Sequence, residues 1–311
     1  MVQDGGRISA EPFGASRGGV LDFALYWRAL RLVECTHPLS AVLEVVSGPV
    51  ILVPSDDVLI AVTGAKSVRC RSQIIPSDTG FWAPANHPIT VDGPQSARAY
   101  VAVHGGFDIG LILGGRGTDI RNHFGGFNGR PLQKGDVLGV LPSTLSRLPH
   151  TRWRRWNPEP RNPLRTLRFV WDHAVERYFK TSSGDFTGAD YTVEPASNGM
   201  AIRLHGAPLG LSNAARYLSE PVLPGTIQIA LDGQPLLLLA HRGTMGGYPP
   251  IGHVITPDLW HAAQLKPGDV ISFKPIALAQ ARQISQQSYL ALSTAVTYTE
   301  PVRYASEPSN N

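Results

Sequence analysis

PGTIQIALDGQPLLLLAHRG, Pro224 to Gly243, sets two apolar runs on either side of Leu-Asp-Gly-Gln. An Asp-Gly step between apolar runs is a strong short-range hairpin signal, so the segment is predicted to be a β-hairpin closing at Asp232-Gly233. Just beyond it lies HRGTMGGYPPIGHVITPDLW, His241 to Trp260, whose density of glycine and proline excludes a regular element over its first half. Within TPDLWHAAQL a short helix is predicted, with Thr256 capping and Pro257 at the first helical position. Upstream, FKTSSGDFTGADYTVEPASNGMAIRLHG alternates short strands with turns, and AVERYFK near Ala174 is a candidate helix.

The rest of the chain agrees with a mainly β protein. Its 311 residues are 42% hydrophobic and 17% charged, and 32 glycines and 26 prolines occur without a collagen-like period. AVLEVVSGPVILVPS, DVLIAVTGA and ARAYVAVHGG read as strands in the first half. One helix is predicted there, FALYWRALRLV behind Asp22 as N-cap. Gly135-Asp136 and Gly268-Asp269 each precede an apolar strand (GRPLQKGDVLGV and AAQLKPGDVISF), which suggests two related β domains. The division drawn from composition is an N-terminal β subdomain over 1–146, an Arg/Pro-rich linker over 147–168, a C-terminal β-barrel subdomain over 169–276 and an extension over 277–311 that ends in a disordered SEPSNN.

Several function classes are set aside on composition. MVQDGGR lacks the layout of a signal peptide, and the longest apolar run, LLLLA, is too short to cross a bilayer, so a cytoplasmic protein without a membrane partner is expected. Cys35 and Cys70 form neither a disulfide framework nor a metal quartet and are read as buried thiols; the ten histidines show no metal-ligand spacing. Part of the formal charge of +4 comes from Arg147–Arg168, with seven arginines and two tryptophans; a connector is expected there, not a nucleic-acid site. GASRG, Gly14 to Gly18, matches the G-x-S-x-G elbow of serine hydrolases, but RISAEPF puts Glu11 and Pro12 where a buried strand must stand, and a glycine-rich turn is the better reading of Ser16. No P-loop occurs, so autonomous nucleotide hydrolysis is not supported.

HGGFDIGLILGGRGTDIRNHFGGFNGRPL, His104 to Leu132, surrounds Arg116, Thr118, Asp119 and Arg121 with glycines. Close backbone approach and the planar fork of Arg116 suit an anion site; an arginine–aspartate pair stitching a turn suits the same residues equally well.

Several motifs resemble those of the carboxyltransferase A/B-type family, also called allophanate hydrolase subunit 2, which includes the 5-oxoprolinase C-subunit and the KipA antagonist. VQDGGR (Val2–Arg7) looks like V-Q-D-x-G-R, LGGRGTD (Leu113–Asp119) is similar to L-G-S-R-S-T-D, and FGGFNGRPLQKGD (Phe124–Asp136) fits the family closely. LSEPVLPGTIQIALDGQP resembles S-E-x-x-x-P-G-x-I-Q-x-P-x-D-G-Q-P, and Thr244–Pro249 keeps T-x-G-G-Y-P. The resemblance implies two cyclophilin-like β-barrel subdomains with few short helices. It also implies a subunit-1 (KipI-like) partner, and either ATP-dependent opening of 5-oxoproline with a third lactam hydrolase subunit or biotin-dependent carboxylation of urea.

Departures accompany the matches. Gly115 and Gly117 replace serines, Gly199 stands where D-R-M-G has arginine, Met245 replaces a threonine, and FVWDHA replaces the G-P-Q that opens the second half. The motif V-Q-D begins at residue 2, without the family's preceding strand; either the start lies further upstream or the chain diverges, and a missing strand would leave a sheet edge open to another chain. The leading expectation is a subunit of an ATP-dependent amide or lactam hydrolase acting on a small carboxylated amide. On the matched motifs Arg116 anchors a carboxylate or phosphate and Asp4 is a general-base or hydrogen-bonding candidate; Arg7, Thr118, Asp119, Gln228 and Thr244 bind or orient the amide. Gly246 and Gly247 aim backbone N–H groups at an oxyanion and Tyr248 closes one wall. The alternatives are a KipA-like regulator that is not catalytic, and a biotin-dependent carboxyltransferase component; the chain itself has no A-M-K-M biotinylation motif.

Overall fold

The computed structural model describes residues 1–142, 153–156, 164–173, 178–179, 183–211, 217–294 and 296–299. The chain forms two compact units, both discontinuous in sequence. The first comprises Met1–Ala24, Ile109–Gln133 and Pro160–Thr294; the second comprises Leu25–Asp108, Lys134–Glu159 and Ala295–Asn311. A boundary at residue 146 therefore falls inside the second unit, and the V-Q-D and G-G-R-G-T-D motifs belong with the C-terminal barrel.

The first unit is built on a closed seven-stranded barrel. Its strands are β1 (Thr166–Trp171), β2 (Tyr191–Val193), β3 (Ala201–His205), β4 (Thr226–Ile229), β5 (Pro235–Leu238), β6 (Pro250–Val254) and β7 (Val270–Pro275). They pair in the order β1-β6-β4-β5-β3-β2-β7, closed by parallel pairing of β1 with β7. Alternating residues face inward as a two-residue period requires: Leu167 and Phe169, Tyr191 and Val193, Ile202 and Leu204, Ile227 and Ile229, Ile271 and Phe273. Phe169 meets Phe186 edge-on at 5.4 Å, and Phe186 stacks on Phe273 at 4.8 Å. Full burial of one such ring stabilises the barrel by roughly 2–3 kcal/mol.

The Pro224–Gly243 segment is the predicted hairpin, β4 against β5, with Ile229 opposite Pro235. Its connection is a three-residue loop, Leu231–Gly233. Ala230 and Gln234 flank it through an N–H to carbonyl bond of 3.0 Å, and Gly233 sits at φ 81°. Asp232 contributes its side chain, accepting the Gln234 N–H at 3.0 Å.

The α-helices among the described residues are α1 (Phe23–Leu32), α2 (Ser183–Thr187), α3 (Thr256–Ala262) and α4 (Leu278–Thr294), and Ile8–Phe13 forms a 3-10 helix. The predicted start of α3 is corrected by one residue. Ile255 holds the N-cap position, Thr256 is already helical, and no side chain caps the end. What fixes α3 is Asp258, fully buried in its first turn, which accepts hydrogen bonds from the Arg168 backbone N–H (2.7 Å), Nε (3.0 Å) and Nη2 (2.6 Å). Helix α4 opens the extension drawn over 277–311 and fills about half of it. Its Gln and Ser content hides the period, but Tyr289 packs edge-on against Trp260 at 5.4 Å and against Phe23 at 6.0 Å.

In the second unit, strands Val42–Val45, Ala99–Val103, Val58–Thr63, Thr79–Ala83, Trp153–Trp156 and Val296–Thr299 pair in that order, and Val50–Leu52, Ile89–Val91, Val68–Cys70 and Gln73–Ile75 form a smaller sheet. The Arg/Pro-rich segment read as a connector thus contains a strand, WRRW. Trp153 and Trp156 are buried, Arg154 pairs with Glu34 at 3.1 Å, and Arg28 lies over the Trp156 ring at 5.2 Å. These tryptophans are core, not a stacking surface for bases. The candidate helix at Ala174, apart from Tyr178 and Phe179, and the SEPSNN tail lie outside the described residues. No helix among the described residues is long and apolar enough to cross a membrane.

Candidate functional site

All the residues expected at the site fall in the first unit, where they form two groups. The first is built by the N-terminal segment against Ile109–Gln133. Asp4 is fully buried; its Oδ2 accepts the Arg116 backbone N–H at 2.6 Å and its Oδ1 accepts the Gly6 N–H at 3.0 Å. Thr118, also buried, donates its N–H and its hydroxyl to the Val2 carbonyl, each at 2.9 Å. Arg116 is half-buried, and its Nη1 donates to the Ile109 carbonyl. The carboxylate that stitches this turn is therefore Asp4, acting on the backbone of Arg116 and leaving its guanidinium to another partner. Asp119 is half-exposed and accepts from the Asn122 N–H (3.0 Å) and side-chain amide (2.9 Å).

Arg7, like Asp4, has no exposed surface. It donates Nε to the Ile112 carbonyl at 3.1 Å and Nη2 to the Gly117 carbonyl, and its guanidinium lies over the Phe124 ring at 4.7 Å. Burial pulls its pKa below the ordinary arginine value, an effect partly offset by Asp4 and Asp119. Two glycines that replace family serines make room for this packing. A Cβ at Gly115 would stand 2.5 Å from Arg7 Cγ, and one at Gly117 would stand 2.5 Å from Gln3 Oε1. The space of two lost hydroxymethyl groups is filled by the chain's own N-terminal side chains.

The second group surrounds the Gly243–Tyr248 loop. Met245–Gly246 pairs with Glu220–Pro221 as a small ladder, and the Val222 N–H donates to the Thr244 carbonyl at 3.0 Å. Gln228, on β4 and buried, donates Nε2 to the Tyr248 carbonyl at 2.7 Å. Gly247 and Tyr248 are exposed, as is Met245 at 54%.

The segment Ala240–Arg242 joins the two groups. Gly18 N–H donates to the Ala240 carbonyl at 3.1 Å, and His241 Nε2 lies 2.7 Å from the Gly19 carbonyl, which can only accept, so Nε2 carries the proton. The buried Arg242 donates Nη2 to Glu11 at 2.7 Å and Nε to the Val222 carbonyl at 2.9 Å. A Cβ at Gly199 would meet His241 Nδ1 at 2.6 Å, so the imidazole fills the ground beside the absent arginine.

Sequence reasoning missed Arg242 and its partner Glu11, 231 positions apart, and a relay on the barrel wall. In that relay His253 Nε2 contacts Asp172 Oδ2 at 2.8 Å and Nδ1 contacts Thr226 Oγ1 at 3.2 Å, while Thr226 Oγ1 also accepts the Leu223 N–H. Tyr217 donates to Glu220 at 3.2 Å, and burial together with that carboxylate pushes its pKa well above the ordinary tyrosine value. Only the position of Arg242, just before T-x-G-G-Y-P, offered a signal. Among the described residues no group of three or more His, Cys, Asp or Glu side chains could hold a metal ion.

A closed barrel whose outer motifs are tied to a discontinuous N-terminal segment defines a mainly β, carboxyltransferase-like protein. The chain belongs to the family of the carboxyltransferase domain, subdomains A and B, which matches residues 13–275. It is similar to the 5-oxoprolinase C-subunit of Escherichia coli, 30% identical over 294 residues, covering 92% of this chain and 91% of that one. Similarity to the urea amidolyase of Lachancea kluyveri is 29% over 320 residues and covers 94% of this chain but 17% of that protein. The Kluyveromyces lactis urea carboxylase structure shares the fold, with a TM-score of 0.83 at 24% identity, over 94% of this chain and 28% of that one.

Proposed function

We propose that the chain is one subunit of an ATP-dependent amide or lactam hydrolase of the 5-oxoprolinase type, acting with a subunit-1 (KipI-like) partner and a third, lactam hydrolase subunit on a small carboxylated amide. The observation that carries this reading is its near end-to-end similarity to a 5-oxoprolinase C-subunit, whereas it spans only a small part of the urea amidolyases. In this reading Asp4 and Thr118 hold the turn that bears Arg116, while Gln228 sets the Tyr248 carbonyl so that the exposed Gly247 backbone faces the ligand. ATP belongs to the complex, consistent with the absence of a P-loop from this chain. The test is 5-oxoproline-dependent ATP hydrolysis by the reconstituted complex. Turnover that requires this chain supports the proposal; a complex that assembles without turnover overturns it.

A second reading, carboxyl transfer with biotin carried on another chain, is favoured by the similarity to urea amidolyases. Its mark would be carboxylation of urea in the presence of a biotinylated carrier.

A further inference from the structure

Val222 lies outside the barrel strands, yet both of its backbone groups are taken by the residues that open the glycine loop. Its N–H donates to the Thr244 carbonyl at 3.0 Å, and its carbonyl accepts Arg242 Nε at 2.9 Å. Its side chain backs the same loop: a Cβ at Gly246 would stand 2.7 Å from Val222 Cγ1 and would also run into Gln228 Nε2. Only bare backbone fits there, so a shift of Val222 passes directly to Gly246 and Gly247.

The short ladder does not hold this geometry unaided. It pairs Glu220 with Gly246 and Pro221 with Met245, and Pro221 has no N–H to give. Beyond it the Leu223 N–H is fixed on Thr226 Oγ1 at 3.2 Å, so the carbonyl side of Val222 depends on Arg242. Arg242 is 3% exposed; its Nη2 donates to Glu11 at 2.7 Å, and its Nη1 has no partner. Glu11 comes from the 3-10 helix Ile8–Phe13, 231 positions away. A buried cation deprived of its carboxylate turns toward water, and its Nε leaves Val222 with it.

We propose that Arg242 is a positioning residue for the Gly243–Tyr248 loop and that Glu11 is the charge that keeps it in place. Through this strap the N-terminal segment sets the aim of the exposed Gly247 backbone at the ligand. Arg242 acts through Val222, whose two backbone bonds and side chain carry its position to the loop. The strap rests on the proposed function only for the ligand that the loop faces, the oxyanion formed at an amide carbonyl.

The test is amide hydrogen exchange of the intact chain, read at Val222. Val193 in β2 and Ser272 in β7 serve as references, since their N–H groups donate to the Asp269 and Arg165 carbonyls. In Glu11→Gln, which keeps the shape and loses the charge, Val222 exchanges at least about tenfold faster while both references keep the parent rate. Glu11→Asp keeps the charge and stays closer to the parent; Arg242→Lys lacks the Nε donor and behaves like Glu11→Gln. In the reconstituted complex Glu11→Gln lowers kcat by about tenfold or more, with the KM for 5-oxoproline within about twofold, because a mis-aimed donor costs transition-state stabilisation. Parent-rate exchange at Val222 in Glu11→Gln overturns the proposal. So does equal acceleration at all three amides, the mark of a merely structural ion pair, or an unchanged kcat in a complex that turns over. Should Arg242→Lys not fold, Glu11→Gln decides alone. Faster exchange at Val222 in a chain whose parent complex shows no turnover would sink the proposed function and leave the strap standing; turnover with unchanged exchange at Val222 would do the reverse.

Discussion

At the scale of single residues, the departures at 115 and 117 concern space more than lost hydrogen bonds. Restoring a side chain at either position must displace Arg7 or Gln3, so Gly115→Ser is expected to destabilise the chain by about 1–3 kcal/mol, the usual cost of overpacking. Urea denaturation checks this; an unchanged midpoint would show that Arg7 has another rotamer open to it. Met245 is half-exposed on the short ladder beside the glycine loop, and Met245→Thr should leave the denaturation midpoint within about 0.5 kcal/mol of the parent. Any change in ligand preference in that variant then belongs to the surface it presents. These positions were legible in the sequence as motif departures, because a missing hydroxyl or arginine is visible in a string. What replaced them was not: His241 beside Gly199, and Arg7 beneath Gly115, become neighbours only through chain reversals of about 40 and 110 residues.

At the scale of elements, the two candidate anchors of α3 can be separated by experiment. Thr256 makes no cap, so Thr256→Ala should cost less than about 0.5 kcal/mol, whereas Asp258→Ala strands the Arg168 fork and should cost about 3–5 kcal/mol. Thermal unfolding of the pair is a direct comparison, and equal effects would refute the assignment. In β2, Tyr191 is fully buried with an unpartnered hydroxyl, and burial pushes its pKa up to about 12. A folded-state pKa above the unfolded value of about 10 means that stability is whole below pH 10 and falls as pH rises to about 12, by roughly 3 kcal/mol for this group. Tyr191→Phe should flatten that alkaline loss, measured as the difference between the two stability curves. The hairpin and the inward alternation of the barrel strands were readable because local turn chemistry and a two-residue period decide them. Helix α4 was not, since its Gln- and Ser-rich sequence has a weak apolar face and its place is set by Tyr289 against Trp260 and Phe23.

At the scale of the whole molecule, the proposed function predicts that the isolated chain shows no 5-oxoproline turnover and that activity appears only with both other subunits, a result that coupled ATPase assays of each binary mixture would reveal. The family was legible from the order of its motifs, since each block is short but their sequence along the chain is specific. The grouping of those blocks into two discontinuous units was not, because composition changes most at the Arg/Pro-rich segment while the contacts that define the units ignore it.

The discontinuity of the first unit also sets a schedule. Gly19 and His241 are 222 residues apart, so at a synthesis rate of about 5–20 residues per second the N-terminal turn leaves the ribosome roughly 10–45 s before its partner exists. During that interval Asp4 and Arg7 can meet their partners in Ile109–Gln133, but Glu11 has no Arg242 to pair with. The stretch from Glu11 to Gly19 must stay soluble and uncommitted until the last quarter of the chain arrives. A fragment cut in the Arg/Pro-rich segment would strand it in that waiting state permanently.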